Sequence, residues 1–316
     1  NPAGHPVRHD VTVMGGTFNY NPQGQNIIPE GYLSLANDNG TWTVRLGMAK
    51  VNKTAYTTFQ DAIDAVKDGE TVTLLSDCNE DVTFTQTPDK SFELDGAEHT
   101  MTGTIKIIPR AGTDGNVTLA IKNFNFVTSE ETKDFINASE TNYYPRNLTV
   151  SDCTFEGPGA NSSVVAVRIK MGSTFTMENC SATNLHSLFQ NGRGGWNYTI
   201  KNCTLTNASE GISLNSVQTA HVESVNVSNN GYGLRINAAY ATTTTVKNCT
   251  ISSFIPVVVR EASADHNLVF EGTNTMTASN TDNLWCAIGT DAYTTNGTMP
   301  SAATGKVTVD LIDENL

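Results

Sequence analysis

Basic residues are scarce in this 316-residue chain: 19 Lys and Arg stand against 32 Asp and Glu, a formal net charge of −13. A surface of that sign repels phosphate backbones, which argues against a nucleic-acid partner. Charged residues of either sign make up only 16% of the sequence, and apolar residues 38%, too few for a thick globular core. No apolar run approaches the roughly 20 residues of a membrane-spanning helix. The start, NPAGHPVRHD, lacks the basic and apolar regions of a signal peptide, so the expectation is that either a signal has been removed or the chain is an excised piece of a longer protein. Cys-x-x-Cys is missing and no His stands beside a Cys, so neither a zinc site nor any other cofactor is expected. What is abundant is Thr, Asn, Ser and Gly, a mixture that suits many short strands and tight turns and suits helices poorly. Val, Ile, Leu and Phe recur at regular intervals, which separates the chain from disordered sequences.

One phrase recurs. It reads AIKNFNF at 120–126, TVSDCTF at 149–155, TMENCSA at 176–182, TIKNCTL at 199–205, HVESVNV at 221–227 and TVKNCTI at 245–251. Its fifth positions, Phe124, Cys153, Cys180, Cys203, Val225 and Cys249, are spaced 29, 27, 23, 22 and 24 residues apart. A period in the low twenties with tolerated insertions marks a solenoid whose coils bury their apolar sides against one another. Within the phrase, Ile200 and Leu205 have opposite parity yet are both apolar, so the strand must bend between them. Asn202 sits at that bend, and Asn tolerates the left-handed backbone that a bend requires. Stacking then places Asn123, Asp152, Asn179, Asn202 and Asn248 in a side-chain ladder, and the anchors in one interior column. Four of the six cysteines belong to that column and are read as buried free thiols acting as small apolar filler. Cys78 and Cys286 are expected near opposite ends and unpaired.

A second strand follows each phrase: VVAVRIK at 164–170, GISLN at 211–215, YGLRIN at 232–237 and PVVVRE at 256–261. Val167, Ile169, Ile212, Leu214, Leu234 and Ile236 alternate with polar residues, so one face is buried and the other wet. Gly211, Gly231 and Gly233 are expected to make the preceding turns. One helix is expected near 58–67, where Phe59, Ala62, Ile63 and Val66 follow helical spacing behind a Thr58/Asp61 capping pair, with Gly69 as its stop. It reads as a lid on the first coil, which begins with a strand over 71–75. Residues 1–48 form a separate N-terminal module, with a strand near Val11 to Met14 and a hairpin turning at Asp38, Asn39 and Gly40; residues 49–316 form the solenoid, ending in a strand at 306–312.

The phrases TFQDAIDAVKDGETVTLLSD and SFELDGAEHTMTG, followed by KNC coils, resemble the pectin-lyase-like right-handed parallel β-helix domains of secreted and wall-anchored bacterial surface proteins. The segment MGGTFNYNPQGQNIIPEGYLSLANDNGTWTV is similar to the hairpin modules that join consecutive β-helices in such proteins. The resemblance covers essentially the whole chain. It implies an all-β, single-stranded right-handed parallel β-helix, one monomeric segment of a longer extracellular or cell-wall-associated protein, with adhesion or glycan binding as the usual role.

Catalytic elements of that superfamily are poorly represented. Arg168, Ile169 and Lys170 are similar to the RIK element of polygalacturonases, but the Asn-Thr-Asp, Asp-Asp and Gly-His-Gly elements that precede it in that family do not occur upstream of it here. Pectate lyases, by resemblance, use clustered acids to hold calcium and an arginine as base. Arg235 could be such a base, yet Glu261 is the one acid expected on the same wet face, and calcium takes about six to eight oxygens. No catalytic and no metal-binding residue is assigned. The wet face itself, with Arg168, Lys170, Asn215, Arg235, Asn237, Arg260 and Glu261, is the candidate ligand surface. Its basic residues are expected in line along successive coils, bordered by Arg193 and Trp196 from NGRGGW. Arginine forks bind carboxylate or sulfate and an aromatic ring stacks on a sugar; the same residues equally suit the solvated face any solenoid presents. The expectation is a non-catalytic surface module facing a polysaccharide or host glycan. Its rivals are a polysaccharide lyase or glycoside hydrolase acting on acidic glycans, and a structural stalk. The insert at 128–147, with Tyr143 and Tyr144, is read chiefly as packing onto the coils.

Overall fold

The coil can be followed from the phrase TIKNCTL outward. In the strand Gly195–Lys201, Tyr198 and Ile200 point inward. Asn202 then takes φ 53°, Cys203 turns inward at 1% exposure, and the strand Thr204–Ala208 leaves in a new direction with Leu205 buried. After a short turn the strand Ile212–Asn215 forms the third side, and Val217–Glu223 begins the next coil. The computed structural model describes residues 11–87, 89–109, 117–139, 147–170, 172–262, 264–283, 285–288 and 307–311.

Repetition of this coil builds three long sheets. Sheet A runs from Glu70–Leu74 to Val307–Leu311 and contains the strands that precede the Asn corner. Sheet B contains the strands after that corner, and its eight strands mark eight complete coils. Sheet C has nine, from Val82–Gln86 to Cys286–Ile288. Pairing between coils is parallel and largely in register; Ile200, for example, lies between Met177 and Val222. The fold is a right-handed parallel β-solenoid, as the repeat predicts.

The corners obey the expected stereochemistry. Asn123, Asp152, Asn179, Asn202 and Asn248 have φ between 53° and 56°, and Ser224 fills the same role at 53°. The ladder is real over its central part: Asn179 Nδ2 donates to Asp152 Oδ1 at 3.1 Å, and Asn202 Nδ2 to Asn179 Oδ1 at 3.2 Å. Phe124, Cys153, Cys180, Cys203, Val225 and Cys249 are all at most 2% exposed and form the predicted column. The thiols are free, and each one in the column donates to a nearby backbone carbonyl, as Cys203 does to Lys201 at 3.1 Å. Burial pushes the Cys78 and Cys286 thiols up to about 11. Beside the column, rings stack from coil to coil, with Phe126 and Phe155 parallel at 5.1 Å. Burying each such side chain contributes on the order of 2 kcal/mol.

Sheet A carries a second register device. Its outward row Asp95, Lys122, Ser151, Glu178, Lys201, Glu223, Lys247, Glu271 alternates in sign over most of its length. Lys201 meets Glu178 at 2.6 Å and Lys247 meets Glu223 at 3.5 Å. Each exposed pair contributes at most about 1 kcal/mol, but displacement by one coil sets like charges together, so the row favours one register.

The ends depart from the sequence reading in detail. The helix spans Phe59–Ala65, with Thr58 Oγ1 accepting from Asp61 N at 3.0 Å. The Asp61 carboxylate accepts from the Thr57 hydroxyl instead of closing the box, and Glu80 caps the remaining turn by accepting from Phe59 N and Gln60 N. The helix already ends at Val66; Gly69, at φ 75°, belongs to the following turn. Phe59 is fully buried, its ring 6.1 Å from Phe124, so the helix packs onto the first coils as a lid. A strand that the sequence did not reveal, Ala49–Val51, runs antiparallel to Glu70–Leu74 and completes that edge. The hairpin pairs Tyr32–Ala36 with Trp42–Leu46, as expected. The strand expected at Val11 to Met14 is instead Gly16–Phe18, on the other side of Trp42–Leu46. Gly211 and Gly231 serve close coil contact, not a turn dihedral: a Cβ on Gly211 would lie 1.9 Å from the Gly233 carbonyl oxygen, and one on Gly231 2.1 Å from that of Ser209. Gly233 lies inside the strand Tyr232–Ala238. No helix among the described residues is long and apolar enough to cross a membrane.

Candidate functional site

Parallel register decides which outward side chains meet on sheet C. Asn137, Arg168, Gln190, Ser213 and Arg235 form one row, each one coil beyond the last. Arg168 and Arg235 are therefore three coil steps apart, about 14 Å at roughly 4.8 Å per step. The expected unbroken line of basic residues is corrected accordingly: a glutamine and a serine separate the two arginines. In the next coil the row continues with Val258, which is 1% exposed. Arg260 falls at a register shift between Ile236 and Asn237, so it does not extend the row, while the Glu261 backbone is level with Asn237. The side chains of Arg260 and Glu261 lie outside the described structure, as do Tyr143 and Tyr144.

Between the arginines lies a groove of about 390 Å³. Five of the nine candidate ligand residues line it: Arg168, Lys170, Asn215, Arg235 and Asn237, together with Gln190 and Ser213. Arg193 and Trp196 sit just past its edge, at the corner leading into sheet A; the Arg193 amide donates to the Lys170 carbonyl at 2.6 Å. Asn215 ties two coils together, its Nδ2 donating to the Gly192 carbonyl at 2.7 Å and its amide to Asn191 Oδ1 at 2.7 Å. Asn237 Oδ1 is buried and has no hydrogen-bond partner among the described residues.

Two carboxylates that sequence reasoning missed alter the electrostatics. Asp134, 8% exposed, accepts from Arg168 Nε at 2.6 Å and Nη2 at 3.2 Å, while Arg168 Nη1 donates to Gln190 Oε1 at 2.8 Å. Glu210 Oε1 accepts from Arg235 Nη1 at 3.0 Å, and Arg235 Nε and Nη2 both donate to Ser213 Oγ. Glu261 is thus not the sole acid beside these basic residues. With the fork of Arg168 filled by Asp134 and Arg235 bridging Glu210 and Ser213, neither is an open carboxylate receptor. Lys170, by contrast, has no ion-pair partner among the described residues. Against Asp134 and Glu210, the cations Arg168, Lys170 and Arg235 leave the groove one net positive charge.

His186 completes the cluster. Its Nδ1 is 2.7 Å from Ser209 Oγ and its Nε2 is 3.8 Å from Glu210 Oε2. Burial lowers its pKa, Glu210 opposes that, and the nearby Arg168 and Arg235 add to it. The imidazole is held neutral beside the groove. His221, in sheet A level with Thr199 and Thr245, is not part of this group. The acids escape notice in the sequence because each precedes a sheet C strand in a turn of variable length, 34 and 25 residues from its arginine. Among the described residues no group of His, Cys, Asp and Glu is arranged to hold a metal ion.

Comparison with known families agrees with this architecture. A family model described as a right-handed beta helix region matches residues 113–251. No curated protein and no solved structure matches the chain. The matched residues contain the Asn corners and all the residues that line the groove.

Proposed function

We propose that the groove on sheet C binds a carbohydrate chain without cleaving it, and that the protein is an extracellular or cell-surface module presenting this groove, one part of a longer protein of the pectin-lyase-like kind. The observation that carries the reading is the combination, in one groove, of an unpaired Lys170, the amide of Gln190 and the unsatisfied Asn237 Oδ1. An unpartnered buried acceptor costs about 1–3 kcal/mol, which a sugar hydroxyl placed there recovers. The occupied arginines favour a neutral or sparsely charged glycan over a polyuronate. Hydrolysis would require an acid and a base free to exchange protons, and Asp134 and Glu210 are each engaged by an arginine.

Calorimetric titration with neutral and uronate polysaccharides tests this. We expect binding of neutral chains, weakened about tenfold in Lys170→Ala/Gln190→Ala. Undiminished binding by that double variant, or no binding of any chain by the wild type, overturns the proposal. Release of reducing ends or unsaturated products would show an enzyme instead.

A further inference from the structure

Trp196 does not line the sheet C groove; past its edge it opens onto another surface. It is 58% exposed at the start of a sheet A strand, and register places it level with Gln218 one coil on, then with Thr242 and His266. Gln218, Thr242 and His266 line a separate depression of about 450 Å³, whose wall also includes Asp265 and Asn267. Tyr240, 61% exposed, immediately precedes the lining residue Ala241. Large exposed apolar side chains are few among the described residues, and two of them flank this one polar hollow.

The chemistry of the hollow is narrow. Among the described residues no lysine or arginine lines it, and the chain carries a net charge of −13, so an anionic ligand is disfavoured. Gln218 and Asn267 are planar side chains able to bond adjacent hydroxyls. Asn267 Oδ1 and His266 Nε2 are buried atoms without hydrogen-bond partners among the described residues, and both residues line the hollow. An exposed indole and a phenol offer apolar faces of the kind that cover a pyranose ring.

We infer that this corner of sheet A is a second binding site, for an uncharged saccharide, with Trp196 and Tyr240 as stacking faces and Gln218 and Asn267 as hydroxyl partners. It shares no lining residue with the sheet C groove and so stands or falls separately. Neutral chains are admitted, and among the described residues the hollow offers no cation to hold a uronate carboxylate.

Tryptophan fluorescence reads the site directly, because Trp196 is exposed when free. The full chain is titrated with cellohexaose, xylohexaose, mannohexaose and chitohexaose, and with hexagalacturonate as the charged probe. We expect a saturable change with at least one neutral hexasaccharide, none with hexagalacturonate, and, in the Lys170→Ala/Gln190→Ala background where the groove is weakened, affinity by calorimetry reduced about tenfold more by Trp196→Ala and by Asn267→Ala. Lys170→Ala/Gln190→Ala, altered only in the groove, should leave the fluorescence titration unchanged, so loss of one site is distinguishable from loss of the other. The inference is overturned if no neutral hexasaccharide moves the fluorescence. It is equally overturned if hexagalacturonate moves the fluorescence as much as they do, or if adding Trp196→Ala to the groove double variant, with unchanged circular dichroism, leaves binding as tight as before.

Discussion

Replacing His266 by leucine isolates one titration from the many carboxylates of this acidic chain. His266 is 2% exposed, with Nδ1 2.6 Å from Thr242 Oγ1 and Nε2 unpartnered. Burial lowers its pKa from 6.5 to about 4. Above pH 6.5 the imidazole is neutral both folded and unfolded and contributes no pH dependence. As pH falls from there, the unfolded chain takes up a proton that the folded chain refuses, so stability is lost until about pH 4, where the folded form protonates as well. A gap of about 2.5 pH units at about 1.36 kcal/mol each gives a loss on the order of 3 kcal/mol. The assay is urea unfolding of wild type and His266→Leu at pH 7.5 and pH 4, followed by circular dichroism. Carboxylate effects are common to both proteins and cancel in the difference. The wild type should lose about 3 kcal/mol more than the variant across that interval. Equal losses would mean that the imidazole is solvated or paired, and the burial argument would fail with it.

Other perturbations probe the coil. Asn202→Ala removes the polar side chain that lets this residue tolerate left-handed backbone, together with the bond to Asn179, and should cost about 2 kcal/mol in urea unfolding, whereas Asn202→Gly keeps the dihedral and should cost about 1. Gly211→Ala drives a methyl against the Gly233 carbonyl, backbone against backbone, and should cost about 2 kcal/mol or more, while Gly24→Ala, where a Cβ meets nothing within 4 Å, should be nearly silent. Native protein should react with a thiol reagent far more slowly than protein in denaturant, where all six cysteines should titrate without reductant; fewer would reveal a bridge.

The architecture was legible because its constraint is local and repeats. Few non-Gly residues other than Asn and Asp accept left-handed backbone readily, so Asn179, Asn202 and Asn248 announce corners wherever they recur before an inward Cys. Ser224 keeps the corner without the announcement, and the coil was found there only through Val225 and the spacing. Short elements were harder. Ala49–Val51 is a three-residue strand held by its partner's edge, and Ser187–Asn191 buries Ser187, Leu188 and Phe189 in succession, so it shows no simple alternation to read.

The candidate site was legible by column but not by charge. Alternation in VVAVRIK and YGLRIN places Arg168, Lys170, Arg235 and Asn237 on the wet face, because strand parity is a property of a few neighbouring residues. What each arginine meets depends on turn length, and turn length is where coils vary. The insert at 128–147 carries Asp134 back over Arg168, and the turn after Ala208 brings Glu210 to Arg235. A row that reads as a basic strip thus becomes a nearly neutral, rigid frame with a single unpaired lysine. That change matters for recognition: a guanidinium held by a carboxylate fixes the spacing of the groove wall, while specificity passes to Gln190, Lys170 and Asn237. If Asp134 is the element that sets this frame, Asp134→Asn should release the Arg168 fork and shift the groove toward uronate chains, with binding that weakens as salt rises. An Asp134→Asn protein that still prefers neutral chains would place the selectivity elsewhere.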